Sequence, residues 1–264
     1  MVMLVCAVKI QKGYTMSALP YASKLFSISI AIIQRVWQRE ESNLDAAAGL
    51  LTECIAAGGV FHVFGAGHSH LFAEEVSYRA GGLVPVNPIL DVGYTLMGGP
   101  PSRSSELERL EGYVPTILNG YDLRPNEVML IMSQSGRNAG PLEAALYAKE
   151  KGLRVVAVTS VAQSQAQTSR HSSGKRLFEI ADVVIDNHVP EGDAAVELQP
   201  GQPRVAPLST IVGAAILQAL VAETAGRLLE RGIPPPVWVS ANVDGGEKHN
   251  LQMALQYQSR LRSF

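Results

Sequence analysis

Apolar residues recur at helical spacing from Ala18 to Ala57, at Leu25, Ile28, Ile32, Val36, Leu44, Ala47, Leu51 and Ile55. The spacing predicts one long helix or two shorter ones, stopped by Gly58-Gly59. Short apolar runs follow at Val60–Phe64, Leu83–Leu90, Glu127–Met132, Leu153–Val158 and Asp182–Asp186, and each reads as a strand. Two prolines in the second run place it near a sheet edge. Between the runs lie helix candidates at Ser69–Arg79, Glu106 to about Asn119, and Pro141–Lys151, with Gly152 as a cap. Gly93–Ser105, rich in Gly, Pro and Ser, reads as a mobile loop. A long apolar helix at Leu208–Leu229 ends at Gly232 and Pro234–Pro236. The strand-like Val237-Trp238-Val239 and a last helix from about Asn250 complete the chain. Apolar strands alternating with helices predict an α/β fold, a three-layer αβα arrangement with a doubly wound parallel sheet. In such sheets ligands bind beyond the carboxyl ends of the strands.

Composition narrows the reading. The chain has 264 residues, 47% hydrophobic and 17% charged, which excludes a disordered or fibrous protein. Lys plus Arg number 22 and Asp plus Glu 24, a formal charge of −2, so no global basic field points to nucleic acid or anionic lipid. The apolar stretch Ile28–Ile33 is too short for a span, which needs about 20 apolar residues. The expected partner is therefore neither membrane nor nucleic acid. Cys6 and Cys54 are too few for a disulfide framework, so a cytoplasmic setting is expected. Residues 1–15 read as a leader or a mis-assigned start ahead of Met16, leaving a main domain at 16–232 and a tail at 233–264.

Three strand ends carry small polar residues. The first ends in Gly65-Ala66-Gly67-His68-Ser69-His70, the third in Ser133-Gln134-Ser135-Gly136-Arg137-Asn138, and the fourth in Thr159-Ser160. Hydroxyls and free N–H groups beside helix starts suit phosphate oxygens. One such loop would read as plain helix capping, but three favour an anion site. A dinucleotide site ranks lower, because the third glycine of its fingerprint is replaced by His70, although Asp91 stands where a ribose-binding acid would. A nucleotide P-loop fails too, since Gly174-Lys175 is followed by Arg176.

These residues carry a resemblance. Ser133-Gln134-Ser135-Gly136 with Asn138 resembles the serine-rich phosphate loop of the sugar isomerase (SIS) family. Gly65–His70 followed by Ala73-Glu74-Glu75 is similar to the first strand–loop–helix of phosphoheptose isomerases. Arg170–Lys175 and Asn242–Gly246 resemble an uncharacterised branch of the family. The resemblance implies a five-stranded, flavodoxin-like parallel sheet. It implies a sugar phosphate held by Ser69, Ser133, Ser135 and Asn138, and homodimers or homotetramers with sites near subunit interfaces. Gly67, His68, Gln134, Ser160, His171, Ser172 and Lys175 join as candidate substrate contacts.

Family isomerases move a proton between C1 and C2 of an open-chain sugar, which needs a carboxylate base and a group that opens the ring. Glu75 lies six residues beyond Ser69, about 9 Å along a shared helix. Phosphate at the helix start would then leave C1–C2 near Glu75, which matches the family base. An ion pair with Arg79 at i+4 is the competing reading, and Glu74 points toward solvent. His70 or His249 is the candidate for ring opening, the latter by reaching a neighbouring subunit's site. His171 either closes over the ligand or lies in a solvated loop. Leu71 stands where the family's zinc histidine would be, and Thr210 and Gln218 replace its Gln and His. No metal and no cofactor is expected. The expected activity is an aldose–ketose isomerase on a sugar phosphate. The alternatives are a non-catalytic phosphosugar sensor and a lyase, etherase or deaminase on an amino sugar phosphate.

Overall fold

The computed structural model describes residues 18–262. The expected leader and Cys6 lie outside the described residues. The N-terminal pattern forms two helices, α1 (Pro20–Arg39) and α2 (Glu41–Ala56). They part at Glu40, whose carboxylate accepts from Asn43 Nδ2 at 2.8 Å and from the Asp186 backbone N–H at 3.2 Å. Beyond them come β1 (Phe61–Gly65), α3 (Leu71–Glu75), β2 (Val86–Pro88), α4 (Pro101–Arg109) and α5 (Tyr113–Leu118). Next are β3 (Val128–Met132), α6 (Ala139–Glu150), β4 (Arg154–Thr159), α7 (Val161–Gln165) and β5 (Val183–Asp186). A small antiparallel hairpin, β6 (Ala194–Val196) with β7 (Val205–Pro207), precedes α8 (Ser209–Glu230) and α9 (Gly246–Tyr257).

The sheet is five-stranded and wholly parallel, in the order β2-β1-β3-β4-β5. β2 is an edge strand, in keeping with Pro88 inside it and Pro85 just before it. Strand alternation sorts the two cores. Phe61, Val63, Leu130 and Met132 face one layer with residues of α1, α2, α3 and α8. Phe64, Met129 and Ile131 face the other with α5 and α6. The chain leaves β1 toward the first layer and β3 toward the second, so these adjacent strands form the topological switch point. Gly65 pairs with Met132 there, which sets the loops after β1 and β3 side by side. α8 has the length and hydropathy to cross a membrane, yet it packs as a core helix through Val212, Ile216, Leu217, Leu220 and Leu228. Cys54 is buried, and loss of solvent, then the Glu127 charge, push its thiol up to about 12.

Several boundaries differ from the sequence reading. The expected helix Ser69–Arg79 is a 3-10 turn at Gly67–His70 followed by the short α3. Gly82 and Trp238 pair through their backbones, so the tail claims the segment before β2 and only Val86–Pro88 joins the sheet. The loop Gly93–Ser105 is partly helical. Asp91 accepts from Gly93 N at 2.8 Å and starts a turn whose Tyr94 is buried edge-on to Phe64 and Tyr113. The single helix expected from Glu106 splits into α4 and α5, because the buried Glu143 carboxylate accepts the N–H groups of Gly112 and Val114. The last helix starts earlier than Asn250, at Gly246.

Candidate functional site

The loop after β1 curls back on its own strand. A Cβ on Gly65 would stand 2.1 Å from the Ser69 carbonyl oxygen, so this close turn admits glycine alone. The turn leaves His68 exposed and Gly67 and Ser69 half-buried beside β3. The loop after β3 is pinned differently. Gly136 N donates to Ser133 Oγ at 3.2 Å, and Gly136 has φ +56, a left-handed conformation at the base of the turn. The buried Ser133 hydroxyl thus shapes the loop. Ser135 is half-buried, with no hydrogen bond recorded for its hydroxyl among the described residues. Gln134 is held by Asn187 Nδ2 at 2.7 Å and Gln163 at 3.3 Å. Asn138 stands at the start of α6, where the free N–H groups of a 12-residue helix point out of the sheet.

Glu75 closes α3 and lines a cleft of about 440 Å³ with Leu71, Phe72, Glu74, Thr210 and Ala214. Its carboxylate makes the i+4 ion pair with Arg79 and accepts from Gln218 Nε2 at 3.3 Å. Gln218 comes from α8, 143 residues away in sequence. The local pattern does not signal the contact, but the resemblance sets Gln218 where the family places a metal-binding histidine. The shortened α3 ends at Glu75, so Ser69 and Glu75 do not share one regular helix and the 9 Å spacing no longer applies. Glu74 is half-exposed, and its Oε1 sits 3.0 Å from His70 Nδ1 rather than in solvent alone.

The histidines divide. His70 is buried, and its Nε2 accepts the Asp91 N–H at 3.2 Å, which places the ring proton on Nδ1 toward Glu74. Both nitrogens are committed, so His70 is a positioning group that ties the β1 loop to the end of β2. Asp91 itself is occupied by Gly93 N and by the Tyr113 hydroxyl at 2.8 Å, which leaves it a turn lock rather than a ribose ligand. His249 lies in the tail, its Nε2 2.9 Å from the Val237 carbonyl, and among the described residues it is hydrogen-bonded to neither the β1 nor the β3 loop. His171 Nδ1 accepts from Ser173 N at 3.1 Å, and Ser172 gives both its N–H and its hydroxyl to Glu111 at 2.7 Å. Those donors hold the Glu111 carboxyl below its ordinary value. Ser160 is fully buried and donates to the Val189 carbonyl at 2.7 Å, so its hydroxyl locks a loop instead of facing a ligand. Lys175 is exposed on the same segment as Ser172.

That segment reaches the β3 loop. Arg170 N donates to the Arg137 carbonyl at 2.8 Å, and Arg170 Nη1 donates to Asn138 Oδ1 at 3.2 Å. Glu108, at the end of α4, also bonds to Asn138, and burial pushes its carboxyl up against the pull of Asn138, Arg109 and Arg170. Arg137 belonged to the quoted motif, but its role was invisible until Arg170 closed over it.

The geometry has counterparts in known proteins. The family model described as SIS domain matches residues 26–160. UPF0309 protein BH0227 of Halalkalibacterium halodurans is 46% identical over 230 residues, covering 87% of this chain and 92% of that protein. A UPF0309 protein of Geobacillus thermodenitrificans is 44% identical over 229 residues, covering 87% and 92%. Phosphoheptose isomerase GmhA from Neisseria gonorrhoeae shares the fold with a TM-score of 0.53 at 16% identity, covering 79% of this chain and 100% of that one. A phosphoheptose isomerase from Francisella tularensis gives 0.52 at 17% identity, covering 80% and 100%. With its paired loops at the β1–β3 switch point and relatives that match along most of its length, the chain belongs to the SIS domain family.

Proposed function

We propose that the chain binds a sugar phosphate and interconverts its aldose and ketose forms by carboxylate-mediated proton transfer. The observation that carries this reading is the juxtaposition of the Gly67–His70 turn and the Ser133–Asn138 loop at the switch point, with Glu75 lining a cleft on the same first loop–helix unit. The loop N–H groups, the start of α6 and the hydroxyls of Ser69 and Ser135 would hold the phosphate. Glu75 would carry a proton between C1 and C2, oriented by Gln218 and released from Arg79 when substrate enters. Because both His70 nitrogens are engaged, ring opening falls to His249 of a neighbouring subunit. Incubation with a panel of aldose and ketose phosphates in deuterated water tests the reading. Interconversion with deuterium at C1 or C2 is expected, whereas phosphosugar cleavage or deamination products would assign another reaction.

A second reading has its own support. Glu75 is ion-paired and His70 is saturated, a resting arrangement that suits a non-catalytic phosphosugar sensor. Saturable binding with no chemical conversion across the panel would establish the sensor instead.

A further inference from the structure

The serine-rich loop and the start of α6 already offer enough donors for one phosphate dianion. Around Asn138 the chain adds more positive charge than that role requires. Arg170 bonds to Asn138 Oδ1 at 3.2 Å and, through its backbone, to the Arg137 carbonyl at 2.8 Å. Among the described residues the Arg137 guanidinium bonds uncharged groups, Gln167 Oε1 at 3.1 Å and Thr168 Oγ1 at 3.4 Å, and its buried Nε has no partner. Arg109 lies close enough for its charge to act on both Glu108 and Arg170. Loss of solvent first, then the charges of Arg137 and Arg109, hold the Arg170 guanidinium below its ordinary value. Within a chain of net charge −2, the Arg170 guanidinium thus sits against the loop that carries Arg137, with the Arg109 charge and the Glu108 carboxylate nearby. Like charges this close repel one another, and a bound anion would offset that repulsion.

We propose that Arg109, Arg137 and Arg170 form a second anion subsite beside the phosphate loop, so that the preferred ligand is a phosphosugar bearing a further anionic group, a second phosphate or a carboxylate. This inference rests on the phosphosugar reading and extends it to the substrate class. The planar forks of arginine match both groups in two-pronged geometry.

Calorimetric titration at fixed ionic strength tests it with three probes: fructose 6-phosphate, fructose 1,6-bisphosphate and 6-phosphogluconate. The wild-type chain is expected to bind one of the two probes that carry two anionic groups about tenfold or more tighter than fructose 6-phosphate, and which one it prefers identifies the second group as phosphate or carboxylate. Arg170→Gln and Arg109→Gln change exposed side chains and should fold normally. Each should erase most of that preference while leaving fructose 6-phosphate within about twofold. Equal binding of all three probes, or an equal loss for all three in the variants, would overturn the second subsite and leave the phosphosugar reading standing. Failure of the wild type to bind any of them would overturn both.

Discussion

At the scale of single residues, the two proposed roles separate cleanly. Glu75→Gln keeps the shape and the Gln218 contact but removes the base. Turnover is expected to fall by about 10²-fold or more, with phosphosugar affinity retained. If Glu75 were only the surface partner of Arg79, the same change would cost about 0.3–0.5 kcal/mol of stability and leave turnover untouched. Steady-state kinetics beside thermal denaturation decides between them. Ser135→Ala deletes a hydroxyl that makes no hydrogen bond among the described residues, so folding should be unaffected. Affinity for a phosphosugar should weaken about tenfold, read by titration. Ser135 was legible as a candidate because it sits in a polar loop at a strand end, and Glu75 through the family resemblance, since the helical spacing first used for it does not hold. Ser160 was equally visible, yet its hydroxyl bonds the Val189 carbonyl, a choice that depends on where the β5 loop passes.

At the scale of elements, the turn between β1 and α3 is set by contact distance. Gly65→Ala drives a methyl into the Ser69 carbonyl, and a loss of about 2–3 kcal/mol is expected, with phosphosugar binding lost alongside. Chemical denaturation with and without ligand checks both effects. The opposite end of the sheet depends on Glu127. Its carboxylate accepts from Val60 N at 3.1 Å and Arg124 N at 3.0 Å, meets His62 Nε2 at 3.1 Å, and pairs with Arg260 of the tail at 2.6 Å. Burial alone would raise this carboxyl, but the His62, Val60 and Arg124 contacts hold it below the ordinary value of 4.5. A depressed carboxyl stabilises the fold above its unfolded-state value, and that contribution is lost as pH falls through the folded value. The acid limb of stability should therefore flatten in Glu127→Gln, as followed by circular dichroism during acid titration.

At the scale of the whole molecule, α1 leaves Phe26, Ile30 and Trp37 exposed along one side, beside an apolar groove that Ile33 and Trp37 share with Ala215 and Ala219 of α8. We propose that a second copy covers this ridge and groove across a two-fold axis, in line with the expected homo-oligomer. Ile30→Glu is expected to shift the assembly to a smaller species in light scattering. His249→Ala should lower turnover on ring-forming phosphosugars if the tail completes a neighbour's site. Unchanged turnover would remove the tail from the mechanism.

The local pattern alone determined the succession of helices and strands, the edge position of β2 and the loops that bear the serines. It could do so because periodicity, glycines and prolines act over a few residues. It misplaced the turn after β1 and the stretch from Gly93 to Asn119, where Asp91, Tyr94 and Glu143 impose contacts made across the fold. Only the tertiary structure brought the Asp91 N–H to His70 and Arg170 to Asn138, and it turned the family position of Gln218 into a hydrogen bond to Glu75. Those partners lie far apart along the chain, and their meeting depends on how layers stack on the sheet, which no run of neighbouring residues encodes.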